Sequence, residues 1–127
     1  MSKVTSCSIV IKDDFKNVFI VKKKVKKNEQ EFWYNVGKKL KGRESEEKCI
    51  SRAIKEDLKS IVFNVEKIDN IVNEENKEIY AVYQGELKTQ VTYGNDIVEG
   101  AWVSLEELDN FNLAPGEKDK ILMYYNK

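Results

Sequence analysis

Between Ser45 and Leu58 the apolar residues Cys49, Ile50, Ala53, Ile54 and Leu58 recur near a 3.6-residue period, with Ile61 continuing the stripe, while Glu46, Glu47, Ser51, Lys55 and Lys59 take the other side. The spacing predicts an amphipathic helix from near Ser45 to about Leu58, with Ile50, Ile54 and Leu58 buried. Ser45 suits the N-cap, and Glu46 and Glu47 complement the positive end of the helix dipole, although Lys48 prevents a full capping box. Elsewhere the pattern is strand-like. Residues 4–12 and 17–23 read as strands around a turn at 12–16, and 32–36 as a further short strand. Residues 61–72 and 77–88 read as an antiparallel pair joined by the polar stretch 73–76, followed by a loop at 89–96 and a short strand at 101–103. Residues 104–108 suit a helical turn, with Ser104 as cap and Glu107 at the capping-box position, and a last helix follows Pro115 and Gly116 through Met123. This order predicts an α/β (α+β) class chain with a mixed sheet between helices, as one domain over residues 1–127.

Composition narrows the chemistry. A chain of 127 residues with 41% hydrophobic content can build one good core. Lysine plus arginine equals aspartate plus glutamate at 22 each, so the global charge offers no reason to expect nucleic acid or an anionic membrane as partner. No apolar run approaches the roughly 20 residues of a membrane span, and the opening MSKVTSCSIVIKDDF lacks a signal-peptide layout. The expected location is the cytoplasm. Cys7 falls in a predicted strand and Cys49 on the apolar helix face, which suits reduced buried thiols. The absence of histidine removes the usual parts of zinc sites and of His-activated nucleophiles, leaving oxygen ligands and a hard cation.

The candidate chemistry gathers between Trp33 and Leu58. Gly37 and Gly42 punctuate a basic loop with Lys38, Lys39 and Arg43, and the helix behind it ends in the adjacent carboxylates Glu56 and Asp57. Carboxylates beside basic loops suit a divalent metal and a phosphorylated ligand. Arg52 and Glu56 are also four apart, as in an ordinary salt-bridged helix face. The segment resembles the signature of the Nudix hydrolases: a Gly, five residues, a Glu, seven residues, then Arg-Glu-apolar-x-Glu-Glu-x-Gly-apolar. Glu44, Arg52, Ile54 and Glu56 set the register, with Asp57 a conservative match to the last carboxylate. Trp33 and Gly37 are similar to the approach to that signature. Glu99, and later Trp102, Val103, Leu105, Glu107 and Leu108, are similar to the family's late acidic residue and its Trp-apolar-x-Leu-x-Glu-Leu segment. Four positions depart from the signature: Lys38 for the first Gly, Ala53 for the Glu after the Arg, Lys59 for the last Gly, and Ser60 for the apolar residue that closes it.

The resemblance implies a Nudix-type α/β/α sandwich with a mixed central sheet. It implies hydrolysis of a pyrophosphate bond in a nucleoside diphosphate linked to another moiety, such as a nucleoside triphosphate, by metal-activated water. Glu56 and Asp57 would hold Mg²⁺ or Mn²⁺, joined by Glu99 as ligand or base and by Lys38 through its backbone carbonyl. Arg52 would orient the carboxylates with Glu44 as partner, and Gly37 would shape the loop. Lys22 or Lys23, helped from the loop by Lys38, Lys39 or Arg43, are candidates for substrate phosphates, although a run of lysines is also an ordinary solvated surface. Trp33, Tyr34, Tyr80 and Tyr83 offer faces for a base or, equally, core packing. Ala53 removes one expected ligand or base, which predicts weak metal affinity. The alternative is a catalytically silent Nudix-fold module that binds a nucleotide or a protein, and beyond it an α+β interaction domain unrelated to phosphate chemistry. The expected partner is a nucleotide-type small molecule, with the chain a monomer or homodimer.

Overall fold

The structure, a computed structural model, describes residues 3–88 and 90–127. Met1, Ser2 and Thr89, the last being the first residue of the loop read at 89–96, lie outside the described residues. The order is β1 (Val4–Lys12), β2 (Val18–Lys23), β3 (Trp33–Tyr34), β4 (Val36–Lys39), α1 (Glu46–Leu58), β5 (Val62–Val72), β6 (Ile79–Leu87), β7 (Ile97–Val103), a 3₁₀ helix (Leu105–Asn110) and α2 (Glu117–Tyr125).

β1 organises the molecule. It runs parallel to β6 on one side, and on the other it meets β4 over Ser6 to Ile9 and β2 at Ile11 and Lys12, both antiparallel. β7 and β3 extend the sheet beyond β2, and β5 closes it beyond β6. A central strand covered on both faces reads as a near-continuous apolar run, which is what Cys7 to Ile11 provide around Ser8. Alternation then divides the core in two. Cys7, Ile9, Ile11, Phe19 and Val21 pack against Ile50, Ile54 and Leu58 of α1. Val10, Val18 and Ile20 pack against Leu108 of the 3₁₀ helix and Ile121 of α2. The result is an α/β/α sandwich around a mixed sheet.

α1 begins as its pattern predicts, with the Ser45 hydroxyl accepting the Lys48 N–H at 3.2 Å. It stops at Lys59, whose backbone is left-handed at φ 48 and ψ 44 and whose N–H donates to the Lys55 carbonyl. Ile61 therefore leaves the apolar stripe and stands 59% exposed, a correction to the helical reading. The capping box at residues 104–107 forms: the Ser104 N–H and hydroxyl both donate to Glu107 Oε1 at 2.9 Å.

Several boundaries differ from the sequence reading. The short strand at 32–36 is two strands separated by Asn35, and the second runs on to Lys39. β7 starts at Ile97 rather than at residue 101, because β2 supplies partners from Lys23 to Val18 even for the polar Glu99 and Gly100. α2 continues past Met123 to Tyr125, whose ring packs with Tyr124 against the second core. Among the described residues no helix is long and apolar enough to cross a membrane.

Candidate functional site

Sheet register decides where the loop lysine goes. Gly37 pairs with Ser8 and Lys38 with Cys7, so the Lys38 side chain shares the Cys7 face and points toward α1. Gly37 permits this pairing: a Cβ there would lie 2.5 Å from the Cys7 carbonyl oxygen and 2.8 Å from Ser8 Oγ. The Lys38 ammonium then stands 3.1 Å from Asp57 Oδ1 and 3.7 Å from Glu56 Oε1. Its backbone carbonyl is engaged as well, accepting the Cys49 thiol at 3.4 Å.

Arg52 ties the loop to the helix. Its Nε donates to Glu44 Oε2 at 2.9 Å and its Nη2 to Glu44 Oε1 at 3.0 Å, a bidentate charge-assisted pair. Nη2 also donates to the Lys39 carbonyl at 2.7 Å, and Nη1 reaches Glu56 Oε1 at 3.4 Å. The hydrogen bonds from Arg52 hold the Glu44 carboxyl down to about 2, and Glu44 in turn raises the Arg52 guanidinium. The far end of α1 is held by the following loop. The Gly94 N–H donates to the Asp57 carbonyl at 2.8 Å and the Thr92 N–H to the Leu58 carbonyl at 2.9 Å, satisfying carbonyls that a helix C-terminus leaves open. Asp57 itself is 2% exposed, and its Oδ2 has no hydrogen-bond partner among the described residues.

A cleft of about 590 Å³ opens between the sheet and the start of α2, lined by Lys23, Tyr34, Asn35, Lys38, Tyr80 and Lys120 among others. The Lys23 ammonium lies 4.5 Å from the Tyr34 ring centre; burial lowers its pKa, while the charge of Asp57 opposes that shift. Lys39 also lines this cleft. Its floor contains groups that the sequence reading missed. Lys120 donates to Ser8 Oγ at 2.9 Å and Glu117 Oε2 at 2.8 Å, while Glu117 Oε1 accepts the Asn35 backbone N–H at 2.9 Å and its Nδ2 at 3.2 Å. All four residues are buried, and Asn35 Oδ1 is left without a partner among the described residues. The three-residue spacing of Glu117 and Lys120 after Pro115 and Gly116 was the available signal, but the same spacing marks any exposed helical ion pair. Glu56 lies instead on a second, open depression of about 1140 Å³ beside Arg52, Lys55, Lys59 and Ile61.

The remaining candidates fall elsewhere. Glu99 pairs with Lys22 at 3.3 Å, and the two are register partners on β7 and β2. The neighbouring Gly100 faces Phe19 on the α1 side, so alternation turns Glu99 and Lys22 to the opposite face, where Lys22 lies 5.6 Å from the Trp33 ring. Trp33 packs edge-on against Phe111 in the second core. Tyr83 is buried in the first core, with its hydroxyl donating to Glu46 Oε1 at 2.8 Å, and Arg43 lies exposed in the turn before α1. Ala53 is fully buried in the apolar stripe, one turn from both Cys49 and Asp57. Among the described residues no three Asp, Glu or Cys side chains converge closely enough to hold a metal ion. With Ala53 contributing a methyl, Glu99 held by Lys22, the Lys38 carbonyl taken by a thiol and an ammonium set against Glu56 and Asp57, the residues present do not fit a divalent metal.

Solved structures share this architecture. The chain superposes on a NUDIX hydrolase from Nitrosomonas europaea with a TM-score of 0.76 at 17% identity, covering 98% of this chain and 90% of that one. A MutT NUDIX hydrolase from Burkholderia pseudomallei gives 0.78 at 17% identity over 96% and 98% of the two chains. This is the Nudix hydrolase fold. The NUDIX domain of Shewanella oneidensis NrtR, solved with ADP ribose, matches at 0.78 and 14% identity over 99% of this chain and 88% of that one. No family model matches the sequence, and no curated protein matches it.

Proposed function

We propose that this chain is a Nudix-fold module that binds a nucleotide-type phosphorylated small molecule without hydrolysing it. The observation that carries this reading is position 53. A buried methyl occupies the place of a signature carboxylate, and no other acidic side chain among the described residues joins Glu56 and Asp57 to replace it. Without that group the site lacks a third anionic ligand and a candidate base for water. Support for the ligand class comes from the cleft, which Lys23, Lys38 and Lys39 line together with Tyr34 and Tyr80, the Lys23 ammonium lying over the Tyr34 ring. The NrtR domain with ADP ribose supports the same ligand chemistry on this fold.

Hydrolysis is the second reading, favoured by one observation: Arg52, Glu44, Glu56 and Asp57 persist as a connected network. The two are separated by assaying phosphate and pyrophosphate release from nucleoside triphosphates, oxidised nucleotides, nucleotide sugars and dinucleoside polyphosphates, with Mg²⁺ and with Mn²⁺, alongside calorimetric titration of the same compounds. The expected result is binding of at least one compound with no release above the blank. Turnover of any panel member by the wild-type protein replaces the binding reading with the hydrolase reading. Ala53→Glu is expected to give no turnover while Lys38 is present. It should also destabilise the fold, since a carboxylate at a fully buried core position costs on the order of 2 kcal/mol or more.

A further inference from the structure

We propose that the Lys38 ammonium is the resident cation of this site, so that ligand phosphates are bound there without a divalent metal. The inference rests on the nucleotide-binding reading above and identifies what that site uses in place of a metal. Lys38 stands where the Nudix signature has glycine, and its ammonium lies 3.1 Å from Asp57 and 3.7 Å from Glu56, the adjacent signature carboxylates at the end of α1. Two carboxylates with one ammonium carry the same net charge as three carboxylates with one divalent ion. The loss of a carboxylate at Ala53 and the gain of a cation at Lys38 each raise the charge of the site by one, and together they supply the two positive charges that a divalent ion would bring.

The position also suits the task. Lys38 lines the 590 Å³ cleft, and its side chain is only 24% exposed, so its charge acts where water screens it incompletely. Its backbone is fixed by pairing with Cys7 and by the thiol of Cys49 on its carbonyl. An ammonium has three N–H donors, and the 3.1 Å contact with Asp57 engages one, which leaves donors for phosphate oxygens. Lys23 lines the same cleft, and no carboxylate lies within ion-pair distance of its ammonium among the described residues, so it supplies a second cation for a diphosphate. A divalent ion entering between Glu56 and Asp57 would have to displace the Lys38 ammonium.

The test compares wild type, Lys38→Gly and Lys38→Met. Lys38→Met keeps the aliphatic stem on β4 and guards against misfolding of the glycine variant, with folding of each checked by circular dichroism. ADP-ribose is titrated by calorimetry in EDTA and in Mg²⁺, and Mn²⁺ binding is read separately by water-proton relaxation without nucleotide. Wild type is expected to bind ADP-ribose equally well in both buffers and to show little Mn²⁺ binding. The variants should lose at least about tenfold in ADP-ribose affinity in EDTA, the scale of one charge-assisted contact, and should gain Mn²⁺ binding. Wild-type ADP-ribose binding that disappears in EDTA, or Mn²⁺ held as tightly by wild type as by the variants, overturns the inference. If wild type takes no nucleotide in either buffer, the binding reading fails, and the Mn²⁺ comparison still decides the role of Lys38: a gain in the variants upholds it and equality refutes it.

Discussion

Glu44 and Arg52 form the strongest charge-assisted pair in the site, and the contact has a pH signature. Hydrogen bonds from Arg52 set the Glu44 carboxyl at about 2 in the folded protein, against an ordinary 4.5. A depressed carboxyl contributes stability that is complete above the unfolded value and is lost as pH falls toward the folded one. Thermal melts of wild type and Glu44→Gln should therefore differ most near neutral pH, with the gap closing between 4.5 and about 2. A gap that stays constant through this window would show that Glu44 acts by packing or neutral hydrogen bonding instead. The spacing of Glu44, Arg52 and Glu56 was legible because the latter two share a helix face and the first opens the turn before it. The burial of Asp57 was not. Asp57 is not among the apolar positions of the helical stripe, and the loop packed on the end of α1 and the Lys38 side chain meet it only in the folded chain.

At the scale of elements, α1 and the loop after β6 form one unit. A Cβ on Gly94 would fall well inside contact distance of the Glu56 carbonyl oxygen, backbone against backbone, so neither partner can yield by changing a rotamer. Gly94→Ala is expected to destabilise the fold by about 1–3 kcal/mol in urea titrations, the usual range for overpacking, and to move Glu56 away from Lys38. Wild-type stability in Gly94→Ala would mean that this loop does not hold the helix end. The helix C-terminus shows the opposite adjustment. Lys59 accepts a left-handed backbone that glycine adopts at little cost, and its αL geometry still allows the closing bond to Lys55. In β5 residues of intermediate burial recur every third position, with register shifts between Phe63 and Glu66 and between Lys67 and Asp69. Bulges of this kind bend an edge strand, which is why simple alternation located β5 without predicting its faces.

Across the whole molecule, α2 is fastened to the sheet through a buried ion pair. Glu117 and Lys120 bridge Asn35 and Ser8, partners up to 112 residues distant in sequence. Glu117→Ala would leave Lys120 as an uncompensated buried charge and is expected to cost about 3–5 kcal/mol by urea unfolding. The double replacement Glu117→Leu with Lys120→Met should cost less than Glu117→Ala alone, because it removes both charges and refills the space. A double variant at least as damaged as that single one would show that the pair stabilises the fold beyond its desolvation cost. The sequence by itself determined α1, its N-cap, the β1–β2 and β5–β6 pairings and the layered class. Each of these depends on the period of apolar residues and on turn chemistry, which near neighbours set. Beyond the contacts of Arg52 with Glu44 and Glu56, only the tertiary structure decided which charges meet. The register of β4 on β1 aims Lys38 at Asp57, the edge pairing of β7 with β2 gives Glu99 to Lys22, and the docking of α2 buries Lys120 beneath the cleft. Charge pairing depends on distance and burial in space, and neither is written in local sequence periodicity.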